Sequence, residues 1–408
     1  MGPKGKGSGM GTHGKRGSRA ITAGILTLLV LIATLGLAAC GGKETTTTTP
    51  AATTTTSPVT ATTGSPPDTG TMMWRGDLER TGVYAGGGPS RLGGLVWKFK
   101  AGDAVESSPA VFDGVAYVGS DDTYLYAVDI QSGREKWKFK TGDAVSSCPA
   151  ISDGVVYFGS QDTCLYAVDI QSGREKWKFR TDGGVHSSPA VSDGVVYFGS
   201  EDAYLYAVDI SSGQEKWKFE TGAEVWTSPA VSGGVVYFGG YDAWVYAVDA
   251  QSGQQKWKFQ TDGGVWSCPP LSDGVVYVGG NDGYLYAVDA QSGQEKWKVQ
   301  TGNMIGTSPA ISDGVVYFGN DDGYLYAVDA QSGKERWEFK TGAAMSSPAI
   351  SDGVVYFGSE DAYLYAVDIS SGQEKWKFAT GAEILSSPSI SDGVVYFGSQ
   401  DGYLYALK

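Results

Sequence analysis

Eight tryptophans (Trp97, Trp137, Trp177, Trp217, Trp257, Trp297, Trp337 and Trp376) recur every 40 residues, only the last interval being 39. A fixed period of that size restricts a chain to a repeat architecture, in which each unit buries its apolar surface only against its neighbours. The content of the period selects the kind of repeat. Every unit carries a Pro, Gly-containing turns and short Val/Tyr/Phe runs, which exclude helical arrays. The 60 glycines and 12% aromatic residues are those of an all-β chain.

The unit at 105–140 shows the pattern. VESSPAV (105–111) reads as a first strand and Asp113-Gly114 as a hairpin turn. VAYVG (115–119) is a second strand and YLYAVD (124–129) a third. IQSGRE turns the chain into KWKFK (136–140), where Trp137 and Phe139 alternate with lysines. The middle strands are apolar on both faces, so they lie inside; the half-polar fourth strand is an outer edge guarded by Lys. Packed radially, such sheets make a propeller. The third strand occurs eight times, the last ending at Leu407, with no fourth strand after it. LVWKFK (95–100) is a fourth strand with no other three before it. The two fragments complete one sheet, which predicts an eight-bladed β-propeller of four-stranded antiparallel blades, closed by the N-terminal strand joining the C-terminal blade.

The N-terminus reads differently. Lys4, Lys6, Lys15, Arg16 and Arg19 precede an uncharged apolar run from Ile21 to Ala39, the pattern of a secretory signal over 1–39. Leu37-Ala38-Ala39-Cys40 resembles the lipobox of bacterial lipoproteins, which implies lipidation of Cys40, anchorage to a membrane and an extracytoplasmic location. Residues 40–71 then read as a Thr/Pro-rich tether too poor in apolar side chains to fold. Residues 72–94 read as a lead-in, and 95–408 as the propeller. Without 1–39 the chain keeps 26 Lys and Arg against 45 Asp and Glu, a net charge of −19. That surface repels phosphate backbones and argues against nucleic acid as a partner.

Ala127-Val128-Asp129-Ile130-Gln131-Ser132-Gly133-Arg134-Glu135-Lys136-Trp137 resembles the tryptophan-docking motif of the PQQ-type quinoprotein propellers, with Ser in place of Thr. The resemblance implies that the eight tryptophans named above are structural, each stacking between neighbouring blades. It also raises a quinone-dependent oxidoreductase as an alternative function. The larger enzymes of that kind place the quinone by a pair of adjacent cysteines and a Ca²⁺ ion; this sequence has no Cys-Cys pair and no C-x-x-C-H haem site. No catalytic, cofactor-binding or metal-binding residue is therefore assigned. His186 stands alone outside the signal region, too few histidines for a cluster. The Asp at 122, 162, 202, 242, 282, 322, 361 and 401 recurs in every unit, as a turn cap does. Cys148, Cys164 and Cys268 read as buried, unpaired thiols, since first and third strands lie ~10 Å apart and a disulfide needs Cα atoms within about 7 Å.

What the copies do not share is more informative. The turns after strands one and three share one face of a propeller and are nearly invariant here. On the other face, one position at the entry to the first strand reads Glu106, Ser146, His186, Trp226, Trp266, Gly306 and Leu385, with a one-residue deletion in blade seven leaving Met345. The turn after strand two varies too, with Tyr241 in blade four and Trp244 opening the next strand. Glu106, His186, Trp226, Tyr241, Trp244, Trp266, Met345 and Leu385 therefore form the candidate binding face, with large aromatics concentrated in blades three to five. Aromatic anchors suit a protein or peptide, with a glycan as the alternative. The expected function is that of a non-catalytic, monomeric binding scaffold, similar in layout to the propeller lipoprotein of the bacterial outer-membrane assembly complex.

Overall fold

A computed structural model describes residues 71–408; the expected signal, Cys40 and nearly all of the tether lie outside them. The chain forms eight antiparallel sheets, each with four blade strands, in sequential order in seven of them. Blade one comprises Ala110–Phe112, Val115–Gly119, Tyr124–Asp129 and Glu135–Lys140. Blade eight takes its outer strand, Leu95–Lys100, from the N-terminal side and pairs it with Tyr403–Leu407. The eight-bladed closure read from the two orphan strands is present.

Burial follows the apolar pattern. Val115–Gly119 is buried throughout, whereas Glu135–Lys140 alternates between exposed and half-buried. Each outer-strand tryptophan packs against the next blade's D-x-x-S-G turn. Trp137 Nε1 donates to Ile170 O at 3.0 Å. Its ring lies on Gly173, where a Cβ would approach within 2.7 Å and where φ is +65°, so this turn requires glycine. The Asp of the turn accepts from the Ser three positions on, as Asp129 does from Ser132 N and Oγ. At the seam, Trp376 donates instead to Pro89 O, because the lead-in supplies the turn that blade eight lacks.

The first strands are shorter than expected: Ala110–Phe112 rather than 105–111. Pro109 cannot donate to a ladder, and the residues before it bond around the ring instead of along the blade. Ser108 N donates to Cys148 Sγ, Cys148 N to Ser188 Oγ, Ser188 N to Ser228 Oγ and Ser228 N to Cys268 Sγ. The series continues through Ser308 and Ser347, and Ser387 N returns to Ser108 Oγ. This girdle explains the two central cysteines: both are small acceptors. All three described cysteines are free and buried.

The lead-in does more than enter the fold. Thr71–Met72 pairs with Ser152 and Ile151 in blade two. The chain then crosses the axis, and the backbone N–H groups of Val231, Leu271, Ile311 and Ile350 donate in turn to Leu78, Glu79, Thr81 and Gly82. Trp74 packs against Cys148 and Cys268. Arg75 and Arg80 are fully buried. Arg80 donates to the carbonyls of Trp74, Ser188, Pro189 and Pro229, and Arg75 to those of Arg80 and Pro309. The first strands turn a ring of carbonyls toward the axis, and two guanidiniums satisfy part of it. Burial accordingly pulls both arginines below their ordinary range, Arg75 to about 10. The axis is thereby filled on the side of the invariant turns.

Candidate functional site

The opposite end of the axis carries the varied residues. The geometry of one blade sets their order. The turn residue after strand two bonds back to its own first-strand entry, as Asp121 N to Ala104 O and Tyr241 N to Glu224 O. Its side chain thus stands between the entry residue of its own blade and that of the next.

In blades three to five this produces one aromatic strip. The His186 ring stacks on Trp226 at 5.0 Å and 25°. Trp226 meets Tyr241 edge-on at 5.2 Å and Trp266 at 5.9 Å, and Tyr241 meets Trp266 at 5.1 Å. Trp226 and Trp266 remain 37% exposed, although apolar rings of that size are more often covered. Burial, then the nearby Glu224 carboxylate, pushes the Tyr241 hydroxyl up to about 12. His186 is held from both sides: Nδ1 is 3.1 Å from Ser146 Oγ and Nε2 is 3.1 Å from Glu201 Oε1. Glu201 also accepts from Gly184 N. Ser146 and Glu201 were not among the sequence candidates. Their signal was their place in the same two variable positions that supplied the others.

Half a turn away the mouth is acidic. Glu106 accepts from Gln400 Nε2 at 3.1 Å. Asp121 beside it is pushed up to about 6, first by burial and then by the Glu106 charge. Burial raises Asp321 and Glu360 as well; Asp322 adds to the first, and Glu383 and Asp321 to the second. Leu385 lies in this arc, 37% exposed.

Two candidates stand elsewhere. Met345 is buried, and its side chain packs over Gly319 as Val225 does over Gly199 and Val265 over Gly239. The deletion in blade seven removes the variable residue itself, and Met345 takes the place of the preceding valine. Trp244 begins a third strand, where blade two has Cys164 and the other six have Tyr, and Lys258 Nζ lies 4.0 Å from its ring centroid. It serves the outer side of blade four rather than the strip. The repeated Asp is spent on its own turn: Asp122 accepts from Tyr124 N, Tyr126 Oη and Gly102 N.

A closed ring of near-identical blades, plugged on one side and individualised on the other, defines a propeller of the PQQ-repeat class. The sequence profile described as "Outer membrane protein assembly factor BamB" matches residues 65–224, 180–264 and 321–408. The chain belongs to that family. No curated protein matches it. Among solved structures, BamB from Moraxella catarrhalis is similar with a TM-score of 0.69 and 17% identity, over 77% of this chain and 99% of that one. The computationally designed Ika8 protein gives 0.70 and 21%, over 77% and 99%. Quinohemoprotein alcohol dehydrogenase from Comamonas testosteroni gives 0.72 and 18%, over 83% and 80%. At these identities the likenesses show the fold.

Proposed function

We propose that this protein is an extracytoplasmic scaffold, anchored in the cell envelope through Cys40, that holds a protein partner on its varied face and performs no catalysis. The observation that carries this reading is the strip His186–Trp226–Tyr241–Trp266, with its two tryptophans left half open on a face where other blades place Ser, Gly or Glu. Exposed, mutually supported aromatics are the residues that anchor interfaces. The family's description as an outer-membrane assembly factor agrees with a scaffold in the envelope. The quinone raised by the quinoprotein resemblance fits poorly. Pyrroloquinoline quinone is a tricarboxylate and needs cationic partners. The variable positions at the mouth hold no Lys or Arg and several acids, and five of the six side-chain nitrogens of Arg75 and Arg80 already donate to backbone carbonyls.

The test is capture from detergent-solubilised membranes with the full chain, compared with Trp226→Ala/Trp266→Ala. A specific partner should be retained by the wild type and lost at least tenfold in the double variant. Equal capture by both would overturn the assignment of the site. In the same preparation, Cys40→Ser should abolish partitioning into the detergent phase; unchanged partitioning, with no lipid on the mature N-terminus, would reject the anchor.

A further inference from the structure

We propose that the partner's contact element is a basic, extended polypeptide segment, laying an aromatic or aliphatic side chain on the Trp226–Trp266 strip and cationic side chains on the acidic arc opposite. The inference rests on the scaffold reading above and specifies the chemistry of its partner.

Two observations on the mouth carry it. The first is the division of the ring. Blades three to five contribute His186, Trp226, Tyr241 and Trp266; blades six to eight and one contribute Asp321, Glu360, Glu383, Glu106 and Asp121. The second is the lack of internal compensation. The ion pairs among the described residues lie mostly along the outer strands and their turns, and none involves those five carboxylates. The outer strands, by contrast, are rich in lysine, spent on carboxylates and on tyrosine rings, such as Lys98 over Tyr403 at 4.1 Å. A chain that places so many cations at its rim and none at its mouth leaves the mouth's charge for something else. Burial first, and neighbouring carboxylates after it, raise Asp121, Asp321 and Glu360, and an arriving cation would relieve the second cause.

The axis below decides how the segment lies. Arg80 reaches Ser188 O and Pro189 O, only two and three residues beyond His186. With Arg75 and Trp74, both buried, it closes the axis from below. A filled axis admits no side chain, so the segment spans the mouth instead of entering it and lays its cations on the arc. The arc and the strip face each other half a turn apart, which a single side chain cannot bridge and an extended peptide can.

The experiment is fluorescence anisotropy with the full-length chain and three labelled heptapeptides: KWKLKWK, its Lys→Glu analogue and its Lys→Gln analogue. The basic peptide should bind at least tenfold more tightly than either analogue, with an affinity that falls as salt rises. Glu106→Gln/Asp121→Asn/Glu360→Gln should weaken it at least tenfold and flatten the salt dependence. A net acidic protein attracts basic peptides non-specifically, so the decisive control removes the same charge from the other face. Asp153→Asn/Asp193→Asn/Asp313→Asn alters turn residues with φ of 50°, a conformation that Asn accepts, and should change affinity less than twofold. Equal losses in the two triple variants, or no preference among the peptides, would overturn the proposal. The two readings also separate. If the acidic-arc variant still captures the membrane partner while Trp226→Ala/Trp266→Ala does not, the charge inference fails and the scaffold site stands. If both capture it, the site itself falls.

Discussion

Single residues on the varied face are tuned by neighbours that differ from blade to blade. Asp121 is the clearest case. Burial and Glu106 push its pKa up to about 6 from an ordinary 3.8. The unfolded chain therefore holds this proton less tightly than the folded one. Its contribution to stability is fully present below about pH 3.8 and is lost as pH rises through 6. In Asp121→Asn that titration is gone. Thermal melts of the two proteins should show the wild type gaining on the variant as pH falls from 7 to 4.5, and a difference constant over that range would contradict the crowding described here. Docking and mouth tryptophans offer a second comparison. Trp257 is 8% exposed, donates to Ala290 O at 2.9 Å and lies over Gly293. Trp257→Ala should cost ~3–5 kcal/mol as a buried aromatic. Trp226→Ala removes the same side chain from a half-open position and should cost no more than ~1–2 kcal/mol. Equal losses in chemical denaturation would mean that Trp226 is packing, not an anchor.

At the scale of the element, a blade was legible because three signals agree: apolar runs bounded by Asp-Gly turns, alternation in the outer strand, and the tryptophan period. The apolar pattern predicts longer inner strands than the fold has, because the sequence does not show that Pro109 and its equivalents end the ladder and hand the preceding residues to the girdle. The deletion in blade seven makes Met345 look like the variable residue. Packing places it over Gly319 instead, since the space beside that glycine is filled by a Val, Ile or Met in every blade. Nearness to Tyr241 in sequence suggests that Trp244 joins the strip; a strand's alternation sends it the other way, over Lys258. The partners of His186 occupy the same variable positions: Ser146 one repeat earlier in the neighbouring blade, and Glu201 in the turn after strand two of its own blade. The sequence marks those positions as variable but does not show which of them touch.

For the whole molecule, closure and filling of the ring come from one short stretch with two separable parts. Leu95–Lys100 completes blade eight, while residues 71–84 plug the axis with Trp74, Arg75 and Arg80. A chain reduced to 95–408 keeps every blade strand but leaves the inward carbonyls of Ser188, Pro189, Pro229 and Pro309 without their donors. Unsatisfied buried groups cost about 1–3 kcal/mol each, less whatever water recovers. This protein should remain monomeric and melt well below 71–408. A chain reduced to 101–408 also loses the outer strand, and Tyr403–Leu407 becomes an open edge that is apolar on both faces. An unprotected edge of that kind pairs with other copies, so this chain should aggregate. Grafting Asp-Ile-Gln-Ser-Gly-Arg-Glu-Lys-Trp-Lys-Phe-Lys after Leu407 would supply a fourth strand from the C-terminal side and should return 101–408 to the monomeric, low-melting behaviour of 95–408. Light scattering and melting of the four chains decide the point. If 101–408 stays monomeric without the graft, the seam does not hold the ring closed. If 95–408 melts with 71–408, the buried arginines contribute nothing to holding it.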